Sequence, residues 1–268
     1  MEIRKHSDVM NRVGGMQLQM GYAGSATVDK KWKTENLATP FNRLYFIESG
    51  TGQLSGGDVT LRLEPGKVYL LPAGLPCSYH CDGKLSLLFF HFNLTQPDRF
   101  DLLQNVPAPA SAEFSVERLQ TLQNQCDRGG CSQAFHVLSE IYAVVEEMSR
   151  ANGFPLDHNG VFSKCVADTI RYIGEALSDQ LRIEDLASKC YISRSYLARQ
   201  FKKEVGVSVK QYISMQLIGT AQWRLSHTED SVEKISSDLG FCDQFYFSKC
   251  FKKHCRVSPL QYRNGTRY

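Results

Sequence analysis

Val232-Glu233-Lys234-Ile235-Ser236, then Gly240-Phe241-Cys242-Asp243-Gln244-Phe245-Tyr246-Phe247-Ser248-Lys249, then Phe251-Lys252-Lys253, Val257-Ser258-Pro259 and Tyr262 form the second copy of a pattern met about fifty residues earlier. The first copy runs Ile183-Glu184-Asp185-Leu186-Ala187, Ser193-Arg194-Ser195-Tyr196-Leu197, Phe201-Lys202-Lys203, Val207-Ser208 and Tyr212. Ile183 and Leu186 recur one residue sooner than the rest, so the second copy holds one extra residue before its second helix. Each copy reads as a short helix, a turn and a longer basic helix, the layout of a helix-turn-helix DNA reader. Two such units in tandem suggest a chain that grips two neighbouring stretches of duplex.

Apolar spacing decides which face of each reader stays free. In the first unit Leu197 and Phe201 are four apart and belong inside, while Ser193 is placed to cap the helix through its hydroxyl. Arg194, Ser195, Arg199 and Lys202 then lie outward. In the second unit Gly240 ends the first helix, Asp243 or Cys242 caps the next, and Phe247 and Phe251 turn inward. Gln244, Phe245, Ser248, Lys249 and Lys252 are left on the outer face. Arginine can take guanine in a bidentate contact, the Gln244 amide matches adenine, Phe245 can pack on a thymine methyl, and lysine more often meets phosphate. The plainer alternative for any one of these residues is solvated helix surface.

Between the units, Val209 to about Ser226 has no proline and places Ile213, Leu217, Ala221 and Leu225 at four-residue spacing. That predicts a connecting helix of about 18 residues, roughly 27 Å long. Successive major grooves on one face of DNA lie about 34 Å apart, so one stiff helix can hold two readers roughly a turn apart, with modest DNA bending.

The formal charge of +3 hides an asymmetry. From Ser163 onward there are 17 Lys and Arg against 11 Asp and Glu; the preceding residues hold 14 against 17. A cationic C-terminal half suits nucleic acid, and a mildly acidic N-terminal half suits another partner. Nine cysteines without C-x-x-C spacing point to reduced thiols in a cytoplasmic protein. Cys126 and Cys131 around Gly129-Gly130 remain a conceivable redox pair. No signal peptide is read, and the longest apolar run, Leu85 to Phe92, is too short to span a bilayer, so no membrane partner is expected.

The N-terminal half reads differently. Residues 1 to about 40, punctuated by Gly14-Gly15, Gly21 and Gly24, predict an arm with one or two short strands. From Phe41 to Leu94 the signals are β-type: Arg43 to Ile47 as a strand, and a hairpin across Gly56-Gly57. Glu64-Pro65-Gly66-Lys67 is a type II turn, followed by Val68 to Leu71 as a strand. Leu85 to Phe92, apolar on both faces, should be a central, doubly covered strand. Short strands with frequent turns indicate a sandwich or barrel. Val116 to Gln125 and Cys131 to Arg150 then read as an antiparallel helix pair. Its longer member carries a stripe of Phe135, Leu138, Ile141, Tyr142, Val145 and Met148, which either packs on the β domain or forms part of a dimer interface. The reading divides the chain into a domain at 1–152, a linker at 153–162 and a DNA-binding domain at 163–268.

Ile235, Gly240-Phe241, Asp243-Gln244, Tyr246-Phe247-Ser248, Phe251-Lys252-Lys253, Ser258-Pro259 and Tyr262-Arg263 together resemble the AraC family of bacterial transcription regulators. The resemblance covers about 161–263 and implies seven helices with two readers on a connecting helix, one in each of two adjacent major grooves. The chain departs from the family pattern at Leu217, where arginine is common, at Gln200, an apolar position, at Ser236, usually alanine, and at Arg256, usually glycine. Leu217 puts one customary polar anchor in doubt. Gly50-Thr51-Gly52, Glu64-Pro65-Gly66, Leu71-Pro72-Ala73-Gly74 and the Leu88 to Phe92 strand are similar to the cupin-like sensing domains of the family's sugar-responsive members.

The expected architecture is therefore α+β in two domains. An N-terminal cupin-like β-barrel with a helical dimerisation hairpin precedes an all-α domain with two helix-turn-helix units on a connecting helix. The resemblance implies a homodimeric, sugar-responsive activator that binds a double-stranded DNA operator, answers a small-molecule effector of saccharide type and works with RNA polymerase. Trp32, Arg43, Tyr79, His80 and His91 are the candidate effector contacts, since aromatic faces stack on sugar C–H surfaces and Arg and His supply directed polar contacts. Each also has an ordinary structural reading, as a barrel plug or a satisfied core histidine.

An enzyme is the first rival. A metallo-cupin needs two histidines one residue apart after the first glycine turn, but Gly52 is followed by Gln53-Leu54-Ser55. No phosphate loop or nucleophile motif is read elsewhere, so neither catalysis nor a cofactor is expected. The second rival is an architectural DNA-binding protein whose barrel serves only as a dimer scaffold.

Overall fold

The structure, a computed structural model, describes residues 15–95, 101–104, 106–156, 162–255 and 257–264. Residues 1–14 of the expected arm, 157–161 of the expected linker and Arg256 lie outside it.

Among the described residues, nine strands build the N-terminal part: β1 Gln17–Val28, β2 Lys33–Leu37, β3 Asn42–Ser49, β4 Gly52–Gly56, β5 Val59–Leu63, β6 Lys67–Leu71, β7 Cys77–Cys81, β8 Leu85–Thr95 and β9 Ala110–Glu113. They pair as a five-stranded sheet in the order β1-β8-β3-β6-β9 and a four-stranded sheet in the order β2-β7-β4-β5. Two strands fall in the described part of the expected arm, but the first is not short as expected. β1 runs twelve residues and pairs antiparallel with β8 from Gln17 opposite Thr95 to Val28 opposite Leu85. Its small residues Gly21, Gly24 and Ala26 obscured the alternation in the sequence. They sit against β8, where a Cβ on Gly24 would lie 3.4 Å from the Phe89 ring.

Period-two alternation sorts the larger sheet between two cores. Leu44 and Phe46 of β3 and Leu88, Phe90 and Phe92 of β8 pack with Leu119, Leu122, Ile141, Val144 and Met148 of the helix pair. Tyr45 and Ile47 of β3 and Leu87 and Phe89 of β8 face the smaller sheet, meeting Leu54, Leu63, Cys77 and Tyr79. The layers are helix pair, five-stranded sheet and four-stranded sheet. β8 is covered on both faces, as apolar residues at both parities of its Leu87 to Phe90 stretch require. Pro65 and Gly66 make the expected turn, with Gly66 at φ +84°.

One polar cluster sits within this apolar frame. Asp101 is buried, and the Asn42 side-chain amide donates to both its oxygens at 3.0 and 2.9 Å. The backbone N–H groups of Leu94 and Leu103 donate to it at 2.9 Å each. Asn42 Oδ1 accepts from Ala73 N at 2.8 Å, so the cluster joins β3, the end of β8 and the turn after β6. Burial pushes the Asp101 carboxyl up to about 6 against the opposing effect of those hydrogen bonds.

The helix pair is α1 Val116–Arg128 and α2 Cys131–Asn152, turning through Gly129 and Gly130 at φ +63° and +98°. Arg118 on α1 ties the two together through ion pairs to Glu140 and Glu147 on α2. The apolar stripe of α2 divides. Ile141, Val145 and Met148 are buried, Leu138 and Tyr142 are half-buried, and Phe135 is 74% exposed.

Among the described residues, seven helices follow: α3 Lys164–Glu175, α4 Ile183–Lys189, α5 Arg194–Val205, α6 Val209–His227, α7 Val232–Asp238, α8 Gln244–Cys255 and α9 Pro259–Arg263. Helix α6 is the connecting helix, 19 residues long. Ile213, Leu217, Ala221 and Leu225 all lie in the core that α3–α9 share. Leu217 is fully buried there, so the departure from a customary arginine trades a polar anchor for apolar packing. Ser208 and Gln211 close a capping box at its start, and Ser258 and Gln261 repeat it on α9. At the other end of α6, Arg224 pairs with Asp230 at 2.6 Å and Asp238 at 2.7 Å, fixing α7 to the connecting helix.

Candidate nucleic-acid interface and effector cavity

The two readers are α5 and α8, each held by an inward aromatic and aliphatic edge. Leu197, Phe201 and Val205 are buried on α5, and Phe247 and Phe251 on α8. Ser193 Oγ accepts from Tyr196 N at 3.2 Å and starts α5. Of the two expected caps for α8, Asp243 takes the role, its Oδ1 accepting from Tyr246 N at 2.7 Å. That bond holds its carboxyl below the usual range.

Of the nine expected DNA contacts, Arg194, Ser195, Arg199 and Lys202 on α5 and Gln244, Phe245, Lys249 and Lys252 on α8 are exposed; Ser248 is half-buried. Phe245 is 88% exposed, which is unusual for a phenylalanine without a partner surface. Arg194 carries an ion pair to Glu184 on α4 at 3.0 Å, so any contact with DNA would have to exchange that carboxylate.

The turn before each reader shows a difference between the copies. Gly240, in the second, sits at φ +79°, and a Cβ there would lie 2.1 Å from Ser178 Oγ. Tyr191, one residue past the α4 cap in the first unit, takes φ +57° and is 96% exposed. A bulky L-residue there costs about 1–2 kcal/mol of backbone strain, and glycine returns part of the gain as unfolded-chain entropy. Tyr191→Gly should therefore stabilise the chain by about 0.5–1 kcal/mol. Thermal unfolding would check it; a lowered midpoint would mean the tyrosine ring makes a stabilising contact.

The candidate effector residues fall into three places. Arg43 and His91 lie opposite one another in the β3–β8 pairing, both facing the space between the sheets. The Arg43 guanidinium stands 5.7 Å from the centre of the Tyr79 ring, and His91 stacks on Phe41 with centroids 4.7 Å apart. All four line a cavity of about 530 Å³. Trp32 is buried against Tyr79, 4.4 Å between ring centroids, and borders a neighbouring cavity of about 610 Å³ with Lys31, Lys33 and Lys84. His80 is placed elsewhere. Adjacent to Tyr79 on β7, it projects from the opposite face, half exposed and 3.9 Å from Asp82. The burial alternation of Cys77 to Cys81 expresses that split, and the same period-two rule could have separated the two residues in the sequence.

The sequence reading missed the residues that close the cavity from the helical domain. Gln222 on α6, His254 on α8 and Gln261 and Tyr262 on α9 line it too. The domains touch around it. Tyr22 and Tyr262 have ring centroids 6.0 Å apart, and Gly219 on α6 faces the Asn93 side chain. No sequence signal marks such a surface, because it depends on how two separate folds dock. Among the described residues no cluster of three or more His, Cys, Asp or Glu has metal-binding geometry, and no helix is long and apolar enough to cross a membrane.

Comparison with known proteins follows this division. Residues 30–157 match the family model of an AraC-like ligand binding domain, and residues 186–265 match that of a helix-turn-helix domain. The chain is 26% identical over 268 residues to the Msm operon regulatory protein of Streptococcus mutans, covering 94% of each. It is also 26% identical to the raffinose operon transcriptional regulatory protein RafR of Pediococcus pentosaceus, covering 83% of this chain and 84% of that one. Among solved structures it shares its fold with ToxT from Vibrio cholerae, at a TM-score of 0.62 and 15% identity over 93% of this chain and 98% of that one.

Proposed function

The chain belongs to the AraC family of DNA-binding transcription regulators, and from that premise we propose that it activates transcription in response to a small saccharide-type effector held in the cavity between its sheets. The observation that carries this reading is the convergence of Arg43, Tyr79 and His91 on one cavity, an aromatic wall beside directed polar groups. The similarity to the raffinose operon regulator of Pediococcus pentosaceus favours a saccharide. The two sheets act as a cupin-like barrel around the ligand. Residues 1–152 form the sensing unit, 153–162 the linker and 163–268 the DNA-binding unit. The nine exposed or half-exposed residues of α5 and α8 contact a double-stranded operator, and RNA polymerase is the partner recruited. The setting is the cytoplasm, and binding rather than turnover is the chemistry.

Screening saccharides for thermal stabilisation of the whole chain tests the effector, since a ligand that binds only the folded state raises its apparent stability. Tyr79→Ala or His91→Ala should abolish the shift given by the ligand found. An unaltered shift in both would move the site elsewhere, and consumption of the ligand would replace this reading with an enzymatic one.

The half-free stripe on α2 supports a homodimer through the helix pair. Leu138 and Phe135 are available to a second copy, whereas Val145 is core. Leu138→Asp should therefore yield a soluble monomer in analytical ultracentrifugation, and Val145→Asp an unstable or insoluble chain, losing about 3–5 kcal/mol. A Leu138→Asp chain that remains dimeric would place the interface elsewhere.

A further inference from the structure

Next to the cavity of Arg43 and His91 lies the one that Trp32 borders, about 610 Å³, which the function proposed above leaves unused. Tyr79 and Leu37 line both. Its volume falls within the ~300–1,000 Å³ of small-molecule sites. Two turns build it. The β1–β8 ladder ends with Val28 opposite Leu85, which sets Lys84 beside the turn that follows β1. In that turn Trp32 N donates to Asp29 O at 2.8 Å, and Lys31 N donates to the Asp29 carboxylate at 2.8 Å. These bonds fix the turn with Trp32 in the core between the sheets and with Lys31 and Lys33 exposed on either side of it.

Floor and rim differ in chemistry. On the floor, Trp32 is 9% exposed and Tyr79 7%, yet neither the indole N–H nor the phenol hydroxyl hydrogen-bonds to another described residue. Buried side chains of these types usually find such a partner, and here a molecule in the cavity can supply it. A floor that joins two donors to ring carbon suits a body offering oxygens and C–H groups together, as a sugar does. At the rim, Lys31, Lys33 and Lys84 line the opening, and none has an ion pair among the described residues. Asp29 is the one acidic residue in the described lining, so three positive charges against one negative leave an excess of two. A concave wall of one sign concentrates its field on an anion. An ammonium is a compact point charge that suits phosphate, and a phosphate monoester carries nearly two negative charges at neutral pH.

We propose that this cavity is a second ligand site, separate from the effector cavity, and that it takes a sugar phosphate. The three lysines receive the phosphate, while the Trp32 and Tyr79 donors meet oxygens of the sugar. Because Tyr79 is a wall of both cavities, a sugar phosphate bound here adjoins whatever fills the other.

The test uses the full-length chain carrying Trp223→Phe, which leaves Trp32 as its one tryptophan. Glucose 6-phosphate, glucose 1-phosphate, galactose 6-phosphate and fructose 6-phosphate are titrated beside their free hexoses and inorganic phosphate. Calorimetry reads affinity, and Trp32 emission reads place. At least one ester should shift that emission and bind about tenfold tighter than its own hexose and than inorganic phosphate, the worth of one good charge-assisted bond. Lys31→Gln, Lys33→Gln and Lys84→Gln together should weaken that ester at least about tenfold and flatten its dependence on salt. All three lysines are exposed, so the triple variant keeps its fold. A hexose binding as tightly as its ester would overturn the phosphate, and inorganic phosphate binding as tightly as the esters would overturn the sugar. Full affinity in the triple variant would overturn the role of the lysines, and an ester bound without a change in Trp32 emission would lie outside this cavity. If no ester binds, the second site falls, and the effector reading of the other cavity stands apart from that failure.

Discussion

Replacing Arg199 and Gln244 together by alanine should weaken binding to a selected operator by about 2–6 kcal/mol, since a good bidentate base contact is worth about 1–3 kcal/mol. The two side chains sit on different readers, α5 and α8, joined by a helix of 19 residues. Contacts that far apart share no partner, so the two losses should add. Each single variant should relax sequence preference in its own half of the site, which a footprint resolves base pair by base pair. Footprints weakened over the same base pairs in both singles would contradict a two-groove arrangement. Lys202→Ala and Lys252→Ala should behave differently, weakening all sequences alike and flattening the dependence of affinity on salt by about one unit of slope each. An affinity indifferent to salt would remove the basic faces from the contact surface altogether.

How much of this was legible without coordinates follows from which interactions are local. The repeat, the caps at Ser193 and Asp243 and the stripe on α6 depend on residues within one or two helical turns, and the structure places each as its spacing predicts. The doubly covered strand β8 was legible for the same reason, since Leu87 to Phe90 are apolar at both strand parities and leave no wet face. β1 was not. Its partner in pairing is about seventy residues away, and Gly21, Gly24 and Ala26 supply too little apolar surface to mark the alternation. The candidate cavity was half legible. Arg43, Tyr79 and His91 are inward by strand period, but Gln222, His254 and Tyr262 reach it only because two domains dock, and docking leaves no periodicity in a chain. Asp101 was invisible for a related reason. No local pattern marks this aspartate, because its partners, Asn42 and two backbone donors, meet it only when the fold closes.

Asp101→Ala should cost as much stability as Val145→Asp, for a different reason. Three groups donate to its carboxylate from within the core: the Asn42 amide and the N–H groups of Leu94 and Leu103. Asp101→Ala leaves all three without an acceptor, and buried donors stranded that way should cost the chain about 3–5 kcal/mol. Its pH dependence has a definite sign. Burial raises the folded carboxyl to about 6, above the ordinary 3.8, so the folded state holds the proton more tightly than the unfolded one. The contribution is fully present below pH ~3.8 and is lost as pH rises through about 6, a change of roughly 3 kcal/mol at about 1.4 kcal/mol per unit. Asp101→Asn should remove that slope, and because its NH₂ faces groups that are themselves donors, it should be less stable than the wild type at low pH. Urea unfolding read by Trp32 in a Trp223→Phe background isolates the β domain, because Trp32 lies in its core and Trp223 on α6. An alanine variant within about 0.5 kcal/mol of the parent, the range of an ordinary surface change, would show that the cluster is not what joins β3, β8 and the turn after β6.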